Sequence, residues 1–227
     1  MPSAVFITDV HGRFDRLLRL PAADLLLVGG DLTHFGQPGD VRSFLNIART
    51  RFSRILAVPG NCDPAEAEDV LREAGALAET AGTILPEFGL FVAGLGGSNP
   101  TPTRATLYEW EDGEMEQRLA APVAAPSPDG YGTFRVLLTH APPAGSGAAR
   151  LANGGRDAGS RAVAVLAAVR RADLVLCGHL HEACGDFAWD GRRVVNPGPL
   201  KEDAFATLEW NGGALGQVVL ARLPAIC

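Results

Sequence analysis

The amino-acid sequence predicts an α/β fold, with helices packed on the faces of a sheet, and three observations carry that reading. Short apolar runs of strand length recur through the chain. Apolar residues at helical spacing fall between several of them. Towards the C-terminus the pattern changes to closely spaced strand-like runs separated by turn dipeptides.

The elements follow in order. Ala4–Ile7, Leu25–Val28, Ile55–Val58, Leu90–Ala93, Val136–Leu138 and Leu174–Cys177 each have the length of a buried strand. Phe14, Leu17 and Leu18, then Val41, Phe44, Leu45 and Ala48, then Val163, Leu166 and Ala167, are spaced to share one face of a helix. Phe187–Trp189, Arg193–Val195, Ala204–Trp210 and Leu215–Ala221 read as strands joined by turns at Asp190-Gly191 and Asn211-Gly212, which predicts an antiparallel meander. Gly, Pro and Ser cluster in Gly96–Pro102, Ala121–Gly132 and Ala141–Ser160, the composition of long surface loops around a site. The sequence contains no internal repeat.

A chain of 227 residues is long enough for one α/β domain with a substantial core, so residues 1–227 are read as a single domain. With 47% hydrophobic and 20% charged residues the composition is that of a folded protein, which excludes a disordered chain. No apolar run approaches the roughly 18 residues of a membrane-spanning helix. Met1-Pro2-Ser3 does not open a leader pattern, so a cytoplasmic protein with no membrane partner is expected. Cys62, Cys177, Cys184 and Cys227 are irregularly spaced, as reduced thiols are, and do not suggest a disulfide framework. A net charge of −6 argues against nucleic acid as the partner and favours a small anionic substrate, while a homo-oligomer is left open. Lys201 is the only lysine, a bias of composition from which no function is read.

Metal-competent side chains fall just beyond the expected strands. Asp9 and His11 follow the first run, Gly30-Asp31 the second and Gly60-Asn61-Cys62-Asp63 the third. His140 follows Val136–Thr139, and Gly178-His179-Leu180-His181 follows Leu174–Cys177. Ligands of an open α/β sheet gather outside the carboxyl ends of the strands, so these loops can converge from distant parts of the chain. Residues two apart in extended backbone point to the same side, which lets Asp9 and His11, and His179 and His181, each face one cavity.

The inventory is then Asp9, His11, Asp31, Asn61, His140, His179 and His181. This nitrogen and oxygen set suits transition metals such as Mn, Fe, Zn or Ni better than Mg or Ca. It is too large for one ion with an open position and suits two ions that share a bridging carboxylate. Two divalent cations with Asp9, Asp31 and a bridging hydroxide leave a net charge of about +1, a centre for an anion. A paired centre of that kind can support in-line displacement at phosphorus.

The ordered series Asp-x-His, Gly-Asp, Gly-Asn-x-Asp, His and Gly-His-x-His, running from Asp9 to His181, resembles the calcineurin-like metallophosphoesterase family. The Cys in the third motif resembles its small bacterial and archaeal phosphodiesterase-like subgroup. The resemblance implies a four-layer α/β/β/α sandwich of two packed mixed β-sheets flanked by helices. It also implies that Asp9, His11, Asp31 and His181 hold one ion and that Asp31, Asn61, His140 and His179 hold the other, with Asp31 the bridge. Manganese is the first expectation. Asp31, Asn61 and His140 would be catalytic, in hydrolysis of small phosphodiesters or phosphomonoesters by metal-bound hydroxide. Asn196-Pro197-Gly198 is similar to the family's turn after the last ligand pair. Two rival readings share the resemblance: a metal-dependent nuclease, against which the acidic balance weighs, and a non-catalytic interaction module like a subunit of retromer, against which the complete ligand set weighs.

Four further residues are candidates for contacts around the site. Cys62 stands where many relatives have His, and is expected to be a small buried filler and a poor leaving-group acid. Asp63 opens Asp63-Pro64-Ala65-Glu66, the grammar of a helix start, and is expected to cap a helix, with a possible second role in orienting the site. His34 lies three residues beyond Asp31 and is read as exposed, with substrate or ligand contact as the alternative. Asn99, in Gly96-Gly97-Ser98-Asn99, is a candidate phosphate contact, and Cys177 is core.

Overall fold

The structure, a computed structural model, describes residues 2–111, 113–114, 134–152, 155–211 and 214–225. Among these, the strands form two sheets. β1 (Ser3–Ile7), β2 (Leu25–Val28) and β3 (Arg54–Ala57) run parallel. The remaining strands are β4 (Thr83–Leu85), β5 (Leu90–Leu95), β6 (Phe134–Thr139), β7 (Leu174–Leu176), β8 (Gly185–Trp189), β9 (Arg192–Asn196), β10 (Ala204–Asn211) and β11 (Ala214–Arg222). One sheet has the order β11-β10-β1-β2-β3 and the other β4-β5-β6-β7-β9-β8.

Period-two alternation along the strands sorts the core into three layers. Ala4, Phe6, Leu25 and Leu27 face the other sheet and meet Val92, Val136, Leu138, Leu174 and Leu176. Val5, Ile7, Leu26 and Val28 face outward, onto Val41, Phe44 and Leu45 of α1 (Pro38–Ala48) and Val70 and Leu71 of α2 (Ala67–Glu73). On the far side Phe91, Ala93, Leu137 and Val175 take Val163, Leu166 and Ala167 of α3 (Arg161–Val169). Central strands are therefore covered on both faces, which explains why they read as unbroken apolar runs. The architecture is the expected four-layer sandwich of two mixed sheets flanked by helices. No helix among the described residues is long and apolar enough to cross a membrane.

The C-terminal meander is corrected. β8 with β9 and β10 with β11 are antiparallel hairpins, but they belong to different sheets: β9 pairs in parallel with β7, and β10 lies antiparallel to β1. Asn196-Pro197-Gly198-Pro199 breaks the run between them, because proline offers no ladder donor and Gly198 takes φ 86°. The pattern at Phe14 forms a 3-10 helix, Phe14–Arg19, stopped by Pro21, and leaves Leu18 54% exposed. Of the expected loops, the one at 121–132 lies outside the described residues, as does Gly212 of the second turn. The loop after β6 contains a short 3-10 helix, Gly147–Ala149.

Candidate metal centre

The loops after β1, β2, β3, β6 and β7 are tied together by their backbones. Asp9 N–H donates to Gly30 O at 3.0 Å, His11 N–H to Asp31 O at 2.8 Å, and Gly178 N–H to His140 O at 2.9 Å. Between the sheets, His179 N–H donates to the Asp9 carboxylate at 3.1 Å. Asp9, His11, Asp31 and His179 have φ of 53°, 46°, 51° and 69°, a left-handed conformation uncommon for residues with a Cβ. Such concentrated strain turns side chains inward at the expense of backbone comfort, a feature of functional sites. Glycine is required beside them: a Cβ at Gly60 would collide with the Asp31 carboxylate, and one at Gly178 with Thr8 and Asp9.

The candidate ligands form two groups with Asp31 between them. In the first, His181 Nε2 lies 3.1 Å from Asp9 Oδ1 and 3.4 Å from His11 Nε2. In the second, His140 Nε2 and His179 Nδ1 each lie 2.8 Å from Asn61 Oδ1. Asp31 directs Oδ2 toward His11 Nε2 at 3.6 Å and Oδ1 toward His140 Nε2 at 3.4 Å. Sequence reasoning named all of these residues, and the structure brings them to one place.

The donor set fits divalent metal. Asp9 and Asp31 are 1% and 2% exposed, and among the described residues their ion-pair partners are histidines, with no arginine or lysine. Buried carboxylates need a compensating cation. His140 Nδ1 lies 2.8 Å from Gly29 O, a backbone contact that holds the N–H there and leaves Nε2 facing the cluster, the usual arrangement of a ligating histidine. The His11 and His181 Nε2 atoms approach to 3.4 Å, and both lie beside Asp9, close enough together to serve one ion.

The electrostatics follow from that crowding. Burial opposes ionisation of Asp9, yet its bond to His181 and the field of His140, His181 and His11 hold the carboxyl well below the ordinary range. Burial lowers His11, against the pull of Asp31 and Asp9. Burial and neighbouring His140 push His179 down to about 4. His140 is also disfavoured as a cation by burial, but Asp31 and Asp9 raise it above its ordinary value. The neutral forms favoured at His11 and His179 and the ionised form of Asp9 are the protonation states that metal binding requires, whereas His140 must give up a more tightly held proton to bind.

Asp63 departs from its expected role. Its carboxylate accepts from Leu32 N–H at 3.0 Å, Thr33 N–H at 2.7 Å, Thr33 Oγ1 at 2.9 Å and Gly60 N–H at 2.8 Å. It is a fully buried brace between the Asp31 and Asn61 loops and not a helix cap, and α2 begins only at Ala67 with no side-chain cap. Burial and repulsion from Asp31 push its pKa up to about 6, against the donors from Gly60, Thr33 and Leu32.

Cys62 is buried, as expected, but its thiol is not remote from the chemistry. Its sulfur lies within 4.8 Å of donor atoms of His11 and Asp31, and its backbone N–H donates to Asp31 Oδ1 at 2.8 Å. Burial and the Asp31 carboxylate push the thiol pKa up, so it remains protonated. A protonated thiol is a weak donor. Cys62→Ala is therefore expected to keep most of the rate on nitrophenyl esters, whose leaving oxygen needs little protonation. A steep loss with metal content unchanged would give the thiol a direct role.

His34 is exposed and places Nδ1 3.4 Å from His11 Nδ1, at the mouth of the cluster. Asn99 donates its amide to Ala158 O at 3.3 Å, tying two loops together. Cys177 is core. Three positioning residues escaped the sequence reading. Thr8 Oγ1 donates to Asp9 Oδ2 at 2.9 Å, Asn196 holds Leu180 O at 2.9 Å, and Lys201 N–H donates to Asp9 O at 3.2 Å. For Asn196 the Asn-Pro-Gly turn was a signal; Thr8 and Lys201 offered none.

Residues 3–183 match a family model described as calcineurin-like phosphoesterase. An uncharacterized protein of Methanocaldococcus jannaschii is 30% identical over 209 residues, covering 89% of this chain and 91% of the relative. The crystal structure of a Thermus thermophilus protein, TT1561, aligns with a TM-score of 0.71 at 20% identity, over 98% of this chain and 99% of that one. The phosphopantetheinyl hydrolase of Mycobacterium tuberculosis aligns with a TM-score of 0.55 at 18% identity, over 87% and 89% of the two chains. These two structures share the fold.

Proposed function

The chain belongs to the calcineurin-like phosphoesterase family, and from that premise we propose that it hydrolyses small phosphodiesters or phosphomonoesters at a pair of divalent transition-metal ions, manganese first among them. The observation that carries this reading is Asp31, whose two carboxylate oxygens face two different histidine groups. Asp9, His11, Asp31 and His181 would hold one ion, and Asp31, Asn61, His140 and His179 the other. When bound, the ions supply the positive charge and the acidified water that attack on a phosphate ester requires.

The chain's own contribution is placement. Asp31 fixes the separation of the two groups from a loop braced by Asp63. Asn61 presents a neutral amide oxygen beside His140 and His179, so charge at the centre stays positive enough to receive an anion. The Gly29 carbonyl keeps the proton of His140 on Nδ1. His34, exposed beside His11, is the ring available to deliver a proton to a departing oxygen, since the Cys62 thiol is weak in that role.

A substrate panel tests the reading: aryl mono- and diesters, cyclic nucleotides and oligonucleotides on protein reconstituted with Mn, Zn, Ni or Mg. Turnover of the small esters is expected, with little of oligonucleotides in view of the net charge of −6. Cleavage of oligonucleotides alone would make the protein a nuclease. Metal-loaded protein inert toward every ester would make it an interaction module.

A further inference from the structure

The loop that carries Asp31 continues into an exposed aromatic residue whose conformation earns no stability. Phe35 is 44% exposed and has φ 55°. A bulky side chain in the left-handed region is a genuine outlier, and an exposed ring recovers little of the strain by burial. Glycine would sit there without strain.

Phe35 is nevertheless held in place. Its N–H donates to Cys62 O at 3.1 Å, and its ring meets that of His34 edge-on, with centroids 4.9 Å apart. The His34 ring in turn meets His11 at 5.3 Å, so an unbroken series of rings leads from a candidate metal ligand to solvent. A second exposed apolar side chain, Leu107 at 49%, is tied to the same loop, its N–H donating to Asn61 O at 2.8 Å. Consecutive carbonyls of the Asn61-Cys62 loop thus accept from the backbone N–H groups of Leu107 and Phe35.

We infer that Phe35, with His34, forms a subsite for a planar aromatic group esterified to the phosphate. The inference rests on the phosphoesterase reading above. With phosphorus at the metal centre, the group it carries must extend toward the mouth, where His34 and Phe35 lie. An aromatic group gains there by edge or offset stacking, whereas a small alkyl group does not. Phe35 is a specificity residue and touches no reacting atom.

The test is calorimetric binding of phenylphosphonate and methylphosphonate to manganese-loaded protein, which needs no turnover. Wild type should bind the phenyl compound about five- to tenfold more tightly. Phe35→Ala should erase that preference while leaving methylphosphonate affinity unchanged, and Phe35→Tyr should retain it. The Tm of Phe35→Gly should not fall, because glycine takes φ 55° without strain. A preference that survives Phe35→Ala, an equal weakening toward both compounds, or a marked fall in the Tm of Phe35→Gly would overturn the inference. If neither phosphonate binds to wild type loaded with metal, the phosphoesterase reading itself fails.

Discussion

Asp31→Asn is expected to lower kcat/KM on small phosphate esters by on the order of a thousandfold or more, the scale of losing a centrally placed charge contact in a water-excluded site. Asp31 makes ion-pair contacts with both histidine groups, through Oδ2 at 3.6 Å to His11 and Oδ1 at 3.4 Å to His140. The amide removes a negative charge from between two cations and replaces one of the two oxygens with a donor. His11→Gln disturbs one group only, and a smaller loss is expected, roughly 10- to 100-fold. Kinetics with metal content measured in parallel decide the matter. Equal and small losses in both variants, with metal retained, would remove Asp31 from its bridging role.

Asp63→Ala should be the most destabilising change near the centre. The side chain satisfies three buried backbone N–H groups, which an alanine leaves without an acceptor, and the Thr33 hydroxyl, which has Cys62 O as a second acceptor. At about 1 kcal/mol or more for each orphaned donor, a loss of ~3 to 5 kcal/mol is expected in denaturant unfolding. Asp63→Asn keeps one acceptor oxygen and removes the repulsion from Asp31 but turns its NH2 toward backbone N–H groups, so it should cost less than alanine without being neutral. The two variants also separate the pH dependence. In metal-free protein the folded-state pKa of about 6 lies above the ordinary 3.8, so the folded state binds this proton more tightly than the unfolded chain. The contribution is full below about pH 4 and is lost as pH rises through 6. Wild type should show that decline and Asp63→Asn should not. An Asp63→Ala variant as stable as wild type would end the bracing role.

The candidate ligands were legible because each stands immediately past an apolar run, and the run itself says where the strand ends. Asp9, Asp31, Asn61, His140 and His179 needed no tertiary knowledge beyond that rule. Asp63 was misread because Asp-Pro-x-Glu has the local grammar of a cap, while its true donors, Leu32 and Thr33, lie about thirty residues upstream. The hairpins Gly185–Asn196 and Ala204–Arg222 were legible from their alternation and turns, but turns do not say which sheet an outer strand will join. Thr83–Leu85 is too short to stand out as a strand, and the strain at Phe35 is a property of backbone angles that no residue type announces.

Metal content with its functional dependence tests the central claim most directly. Protein reconstituted with manganese, freed of loose metal and analysed by elemental spectroscopy should hold close to two ions per chain, as two ligand groups sharing one carboxylate require. Chelation should abolish hydrolysis, and manganese should restore it. An empty site after reconstitution, or hydrolysis that continues unchanged in chelator, would contradict the account.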